Sequence, residues 1–165
     1  MAQWTTQTQA NAAPEQVLEV LTHPDSIRLW SPIDFDVEDL DGVRLEAGTT
    51  AKVTGKLAGV RVGFDVEVHH ADEDGVELTA HGPIGIDVSY DLAPTACGSE
   101  VTASVSLRRG GGITGRLISQ ATAALLSAGA LDGAARSIAR AAEENRSARP
   151  RQSRVLAARP ALAAA

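Results

Sequence analysis

The residues with most capacity for chemistry are a glycine triplet, a short acidic alternation, four histidines and one cysteine. Gly110-x-Gly112-x-x-Gly115 has the letter pattern of a dinucleotide fingerprint, after a strand pattern and before a helical one. That fingerprint works inside a strand–helix–strand unit, with an acid ending the second strand to hold the ribose. Here no strand pattern follows, and Asp132 falls within the helical stretch. The glycines are read instead as the turn from sheet edge into helix, with Thr114 as its cap. Asp34-x-Asp36-x-Glu38 hints at a calcium loop but lacks glycine at the sixth position and glutamate at the twelfth, which is Leu45. His69-His70-x-Asp72 is a conceivable metal cluster, yet adjacent strand residues point to opposite faces. Neither a metal nor a cofactor is expected.

Acid–base catalysis needs a titratable group within hydrogen-bond reach of substrate. The acids fall on outward strand positions or turns, His69 shares a face with Asp65 and Glu67, and His81 with Glu77 and Thr79. His70 ends a strand and His23 a helix. No catalytic residue is singled out, and Cys97, in a turn, has no evident histidine partner. There is no Gly-x-Ser-x-Gly elbow, which disfavours a hydrolase of that kind.

The elements that must position these residues follow from hydrophobic period. Ile113, Leu117, Ala121, Leu125, Ala128, Leu131, Ala135, Ile138 and Ala142 recur at helical spacing, predicting one helix over about 113–144. About 30 residues at 1.5 Å rise make a rod of about 45 Å, long enough to cross a small domain. Upstream, residues 2–10 read as a strand. Pro14-Glu15 opens a short helix that stops at His23-Pro24, and Asp25 caps a second ending near Trp30. Alternation at Ile33–Val37, 49–57, Val60–Val68, Val76–Ala80, Ile84–Leu92 and Val101–Leu107, separated by tight turns, predicts an antiparallel meander. The expected class is α+β: a curved antiparallel sheet of six to seven strands wrapped around a long C-terminal helix, with two short helices after the first strand.

One hundred and sixty-five residues suit one domain over 1–145. All 21 acids lie there with ten of the 15 Lys and Arg, a balance of −11, whereas 146–165 holds five arginines and no acid. The acidic body argues against a nucleic-acid partner, and the aperiodic Arg/Ala/Pro-rich segment 146–165 is expected to be a disordered tail. No run of 18 apolar residues exists, so membrane insertion is not expected. The single cysteine and the lack of a signal-like N-terminus point to the cytoplasm. Oligomeric state stays open.

The order strand, two short helices, about six strands, long helix is carried by Ala13-Pro14-Glu15-Gln16-Val17, His23-Pro24 through Trp30-Ser31-Pro32, and Gly55-x-x-x-Gly59. Further on come the Gly82-Pro83 break, Val88-x-Tyr90-x-Leu92-x-Pro94 and the glycine-rich entry to the last helix. Over about 2–145 it resembles the START/Bet v 1-like superfamily, the SRPBCC group that includes polyketide cyclases/dehydrases and lipid-transport proteins. The resemblance implies a helix-grip fold with a hydrophobic cavity between sheet and long helix.

If the alternation holds, the strands face that cavity with Trp4, Phe35, Val53, Val62, Phe64, Val66, Leu78, Ile86, Val88, Tyr90, Val101 and Val105. Leu117, Ala121 and Leu125 close it from the helix, Thr6, Thr8 and the Tyr90 hydroxyl orient a ligand, and Trp30 sits at the entrance. Small residues on the rod leave space that large ones would fill, or else allow closer packing. Ala121→Leu is expected to fill the cavity. The expected function is non-covalent binding of a small hydrophobic molecule: a lipid, a polyketide-like aromatic or an isoprenoid. Alternatives are a polyketide cyclase/dehydratase-type enzyme in the same cavity and a protein-interaction module.

Overall fold

The computed structural model describes residues 2–31, 35–40, 42–57, 59–108 and 111–163, with side chains of the last helix as far as Arg146. Strand β1 (Ala2–Ala10) leads into helices α1 (Pro14–Thr22) and α2 (Pro24–Trp30), and β2 (Phe35–Glu38) follows. Then come β3 (Thr50–Leu57), β4 (Val60–Asp72), β5 (Gly75–His81), β6 (Gly85–Thr95) and β7 (Gly98–Arg108). Helices α3 (Gly112–Ser127) and α4 (Ala130–Ala163) end the chain. This is the α+β helix-grip arrangement, with seven strands, two short helices after the first, and a long C-terminal helix.

The strands form one antiparallel sheet in the order β1-β7-β6-β5-β4-β3-β2. β2 to β7 is a meander, and β1 closes on β7, pairing Ala2 with Leu107 and Ala10 with Ser99. The pair α1–α2 therefore carries the chain from one sheet edge to the other. Helix α3 touches both β1 and β3 although four strands separate them in the sheet, so the sheet must curl strongly around its concave face. Alternation decides which side chains enter that face: Val62, Val66 and Val68 on β4, Val76 and Ala80 on β5, and Val101, Ala103, Val105 and Leu107 on β7 are buried.

The single C-terminal rod is corrected to two helices. Ala128 ends α3, and Gly129 takes φ +97°, a left-handed turn that glycine accepts without a Cβ penalty. The break also resets the phase. α4 buries Leu131, Ala135, Ile138 and Ala142 as the period requires. α3 instead buries Gly115 and Ile118, leaving Ile113 88%, Leu117 49% and Leu125 39% exposed. The α3 cap is Gly111 rather than Thr114, and His23, not Asp25, caps α2.

α4 packs on β1, α1 and α2, with Ala134, Ala135, Ala139 and Ala142 buried in the contact. Its alanines thus shorten the distance between layers instead of leaving room. Arg146 donates to the Asn11 carbonyl at 2.7 Å. Beyond it, the expected disordered tail lies outside the residues with described side chains, and the strand start at Ile33 lies outside the described residues. Among the described residues no helix is long and apolar enough to cross a membrane.

Candidate functional site

A hollow of about 180 Å³ lies between α1–α2 and the sheet. Leu21 of α1, Ile27 and Trp30 of α2 and Leu45 of the β2–β3 connection form its roof. Phe35 and Val37, Ala51 and Val53, Val66, Val76 and Leu78, and Val88 and Tyr90 bring β2 to β6 to its floor. Two hydrogen bonds join the roof elements to one another. The Leu45 amide donates to the Thr22 carbonyl at 2.9 Å, and Trp30 Nε1 donates to the Val20 carbonyl at 3.1 Å. The Trp30 ring also meets Tyr90 edge to face, with centroids 6.0 Å apart and planes at 77°.

Tyr90 is the one titratable group among the described residues of this lining. Burial pushes its phenol well above the ordinary value, so it is neutral at any physiological pH. A neutral phenol can donate a hydrogen bond to a guest, but it cannot serve as a base. The same shift has a consequence for stability. Because the folded-state value is raised, its contribution is fully present below pH 10.0, the ordinary value, and is lost as pH rises through the folded one. Tyr90 is the only tyrosine, so tyrosinate absorbance near 295 nm follows it alone. That absorbance is expected to appear above about pH 10 only together with loss of circular dichroism. Ionisation at an ordinary pKa in the still-folded protein would show that the phenol is not buried.

Of the residues expected from sequence, Trp30, Phe35, Val53, Val66, Leu78, Val88 and Tyr90 meet in this hollow. Trp4, Phe64, Ile86 and Val105 do not line it and pack with the main core instead. Thr6 lies on β1, where its hydroxyl donates to Asp132 of α4, and so is engaged in holding helix to sheet. Leu117 and Leu125 face outward, and Ala121 is half-buried on α3 away from the lining. The cavity is thus corrected in place, since no α3 or α4 residue is among its described lining. Leu21, Ile27, Val37, Leu45, Ala51 and Val76 were not anticipated as lining. Val37, Ala51 and Val76 sit on the inward phase of their strands and were legible by alternation, whereas Leu45 lies in a connection without period.

No histidine lines the hollow. The β4 register shifts between Val68 and His70, and this bulge corrects the expectation that His69 and His70 diverge. Both leave the concave face: His70 Nε2 meets Asp72 Oδ1 at 2.8 Å, and His69 Nε2 meets Thr79 Oγ1 at 2.8 Å. Thr79 in turn donates to Asp87 at 2.9 Å, and Arg108 pairs with Asp87 at 3.1 Å. The Thr79 proton is directed to Asp87, so His69 donates into the chain. That is the wrong direction for activating a hydroxyl nucleophile. Asp36 pairs with Arg28 at 3.4 Å and Glu38 accepts from Thr54 at 3.3 Å, while Asp34 lies outside the described residues. Cys97 is exposed in the β6–β7 turn.

No family model matches the chain, and no curated protein matches it in sequence. Solved structures do match it in fold. Protein CV1439 from Chromobacterium violaceum aligns with TM-score 0.64 at 14% identity, covering 87% of this chain and 99% of that one. TTHA0849 from Thermus thermophilus aligns with TM-score 0.61 at 17% identity over 86% and 97%. Ara h 8.0201 aligns with TM-score 0.58 at 14% identity over 86% and 97%. At such identities the likeness is one of fold, the Bet v 1-like helix grip.

Proposed function

We propose that this chain belongs with the START/Bet v 1-like SRPBCC proteins and binds a small apolar molecule, without chemistry, in the hollow under α1–α2. The observation that carries this reading is an apolar space of about 180 Å³ walled by aliphatic and aromatic side chains with one neutral phenol. A dry apolar cavity of ~150 Å³ suffices for benzene, while drug-sized ligands take roughly 300–1,000 Å³. The volume therefore favours one ring or a short alkyl end of a lipid, polyketide-like or isoprenoid compound over a whole lipid. Burying about 200 Å² of such a group at about 25 cal/mol per Å² gains roughly 5 kcal/mol. The costs of association, about 4 kcal/mol or more, offset most of that gain, so the affinity is millimolar or weaker.

A cyclase/dehydratase-type enzyme is the second reading. Among the described lining residues the one acid is the Tyr90 phenol, so binding alone is preferred. A cytoplasmic setting suits the single exposed cysteine.

Thermal unfolding with the neutral probe 4-phenyl-1-butanol tests the proposal. At a probe concentration about tenfold above Kd, linkage gives about 1.4 kcal/mol, or a rise in Tm of about 3–5 °C. An unchanged Tm across the probe's solubility range would refute it.

A further inference from the structure

One end of the sheet is basic. The antiparallel register places Leu57 opposite Val60, Gly85 opposite Arg108 and Ala2 opposite Leu107, so the β3–β4 turn, the end of β7 and the start of β1 share that end. Lys56 and Arg61 are direct partners there, and like charges opposite one another destabilise a sheet. Arg28 of α2 lines an open cleft with them. Nearby, Asp36 pairs with Arg28 at 3.4 Å and Asp87 with Arg108 at 3.1 Å. Lys56, Arg61 and Arg116 make no ion pair among the described residues. The other end is acidic: the β4–β5 turn carries Asp72, Glu73 and Asp74, and Asp91 stands opposite Gly75.

The basic end is also apolar. Helix α3 starts shortly after β7 and leads to α4, whose Asp132 is bonded to Thr6 midway along β1. Between those points α3 touches β1 and β3, so it lies across this end of the sheet. It carries one charge, Arg116, and no acid. Ile113 and Leu117, one turn apart on its outer side, are exposed. So are Leu29, next to Arg28, and Val60, at the start of β4. Of the large apolar side chains exposed among the described residues, only Val43 and Leu125 fall outside this group. Apolar side chains gathered in this way mark an interaction surface.

We propose that this end docks on the surface of an anionic lipid bilayer. Ile113, Leu117, Val60 and Leu29 enter the boundary between headgroups and acyl chains, and Lys56, Arg61 and Arg116 meet lipid phosphates. A body with a balance of −11 is repelled by such a surface unless its basic end leads, so the same charge distribution sets the orientation. Docking of this kind lies in the interface plane and needs no spanning helix. It goes beyond the binding reading above and does not depend on a guest in the hollow.

Co-sedimentation of the full chain tests it, with vesicles of phosphatidylcholine alone or with about 30% phosphatidylglycerol. The chain is expected to partition about tenfold more strongly onto the anionic vesicles, an advantage that shrinks as salt rises. Lys56→Gln/Arg61→Gln is expected to lower that partitioning about tenfold, and Ile113→Gln/Leu117→Gln by about as much. All four side chains are exposed, so Tm is expected to stay within about 3 °C of the natural chain, which separates a lost surface from a lost fold. The five arginines of 146–165 are the other source of attraction to anionic lipid, and both double variants keep them. No preference for anionic vesicles, or partitioning that either double variant leaves unchanged, overturns the proposal.

Discussion

Gly98→Ala is expected to cost about 3 kcal/mol or more, lowering Tm by roughly 6–12 °C in a chain of this size. A Cβ on Gly98 would stand 2.1 Å from the Ala10 carbonyl oxygen and 2.8 Å from the Ala12 nitrogen. Both are backbone atoms, so no rotamer change relieves the clash. The place matters as much as the distance. Gly98 begins β7 where the β6–β7 turn meets the end of β1, and the neighbouring Ser99, fully buried, donates to the Ala12 carbonyl at 2.6 Å. Pushing the chain apart here loosens the β1–β7 closure and the start of α1 together. Gly129→Ala provides the contrast. It has nothing within 4 Å of its Cβ and only a φ of +97° to disturb, so about 1 kcal/mol is expected. Chemical denaturation of both variants checks this, and equal losses would mean that crowding at Gly98 is not the cause.

Ala51→Leu is expected to lower affinity for 4-phenyl-1-butanol by about tenfold or more while changing stability by less than about 1 kcal/mol. Ala51 is buried on β3 opposite Val66, and both line the hollow. The added atoms therefore enter space that a guest would use. In a fully packed interior the same substitution forces side chains off their rotamers and typically costs about 1–3 kcal/mol. Calorimetric titration together with urea unfolding separates the outcomes. A large stability loss would show packed core at Ala51, and unchanged affinity would place the guest elsewhere. Ala51 takes the role expected of Ala121, which α3 carries away from the hollow.

The strands were legible because one wet face imposes a period of two, and that period selected Phe35, Val53, Val66, Leu78, Val88 and Tyr90 for the floor. The helices were less so. In an alanine-rich stretch the apolar period barely distinguishes one phase from another, so Ile113, Leu117 and Leu125 read as inward although Ile118 holds the buried position. The signal for the break was present in Gly129, but an isolated glycine is also tolerated inside a helix. Whether a face of alanines leaves space or closes it depends on how far the layers approach, which curvature sets and local sequence does not. The bulge at His69 was hidden for a similar reason: alternation continues on both sides of it, and only the register with β5 shows the extra residue. Leu45 closes the roof through an amide bonded to Thr22, a long-range contact that no local pattern announces.

On the proposed reading, the space under α1–α2 is empty of side chains and open to a guest. Intermolecular nuclear Overhauser effects from the ring protons of 4-phenyl-1-butanol, in protein with labelled methyl groups, check this. The expected contacts are to the methyls of Leu21, Val66, Leu78 and Val88, four residues from four different elements that meet only there. Contacts confined to Ile113, Leu117 and Leu125 on the outer side of α3, or bound probe with none to the four, would contradict it.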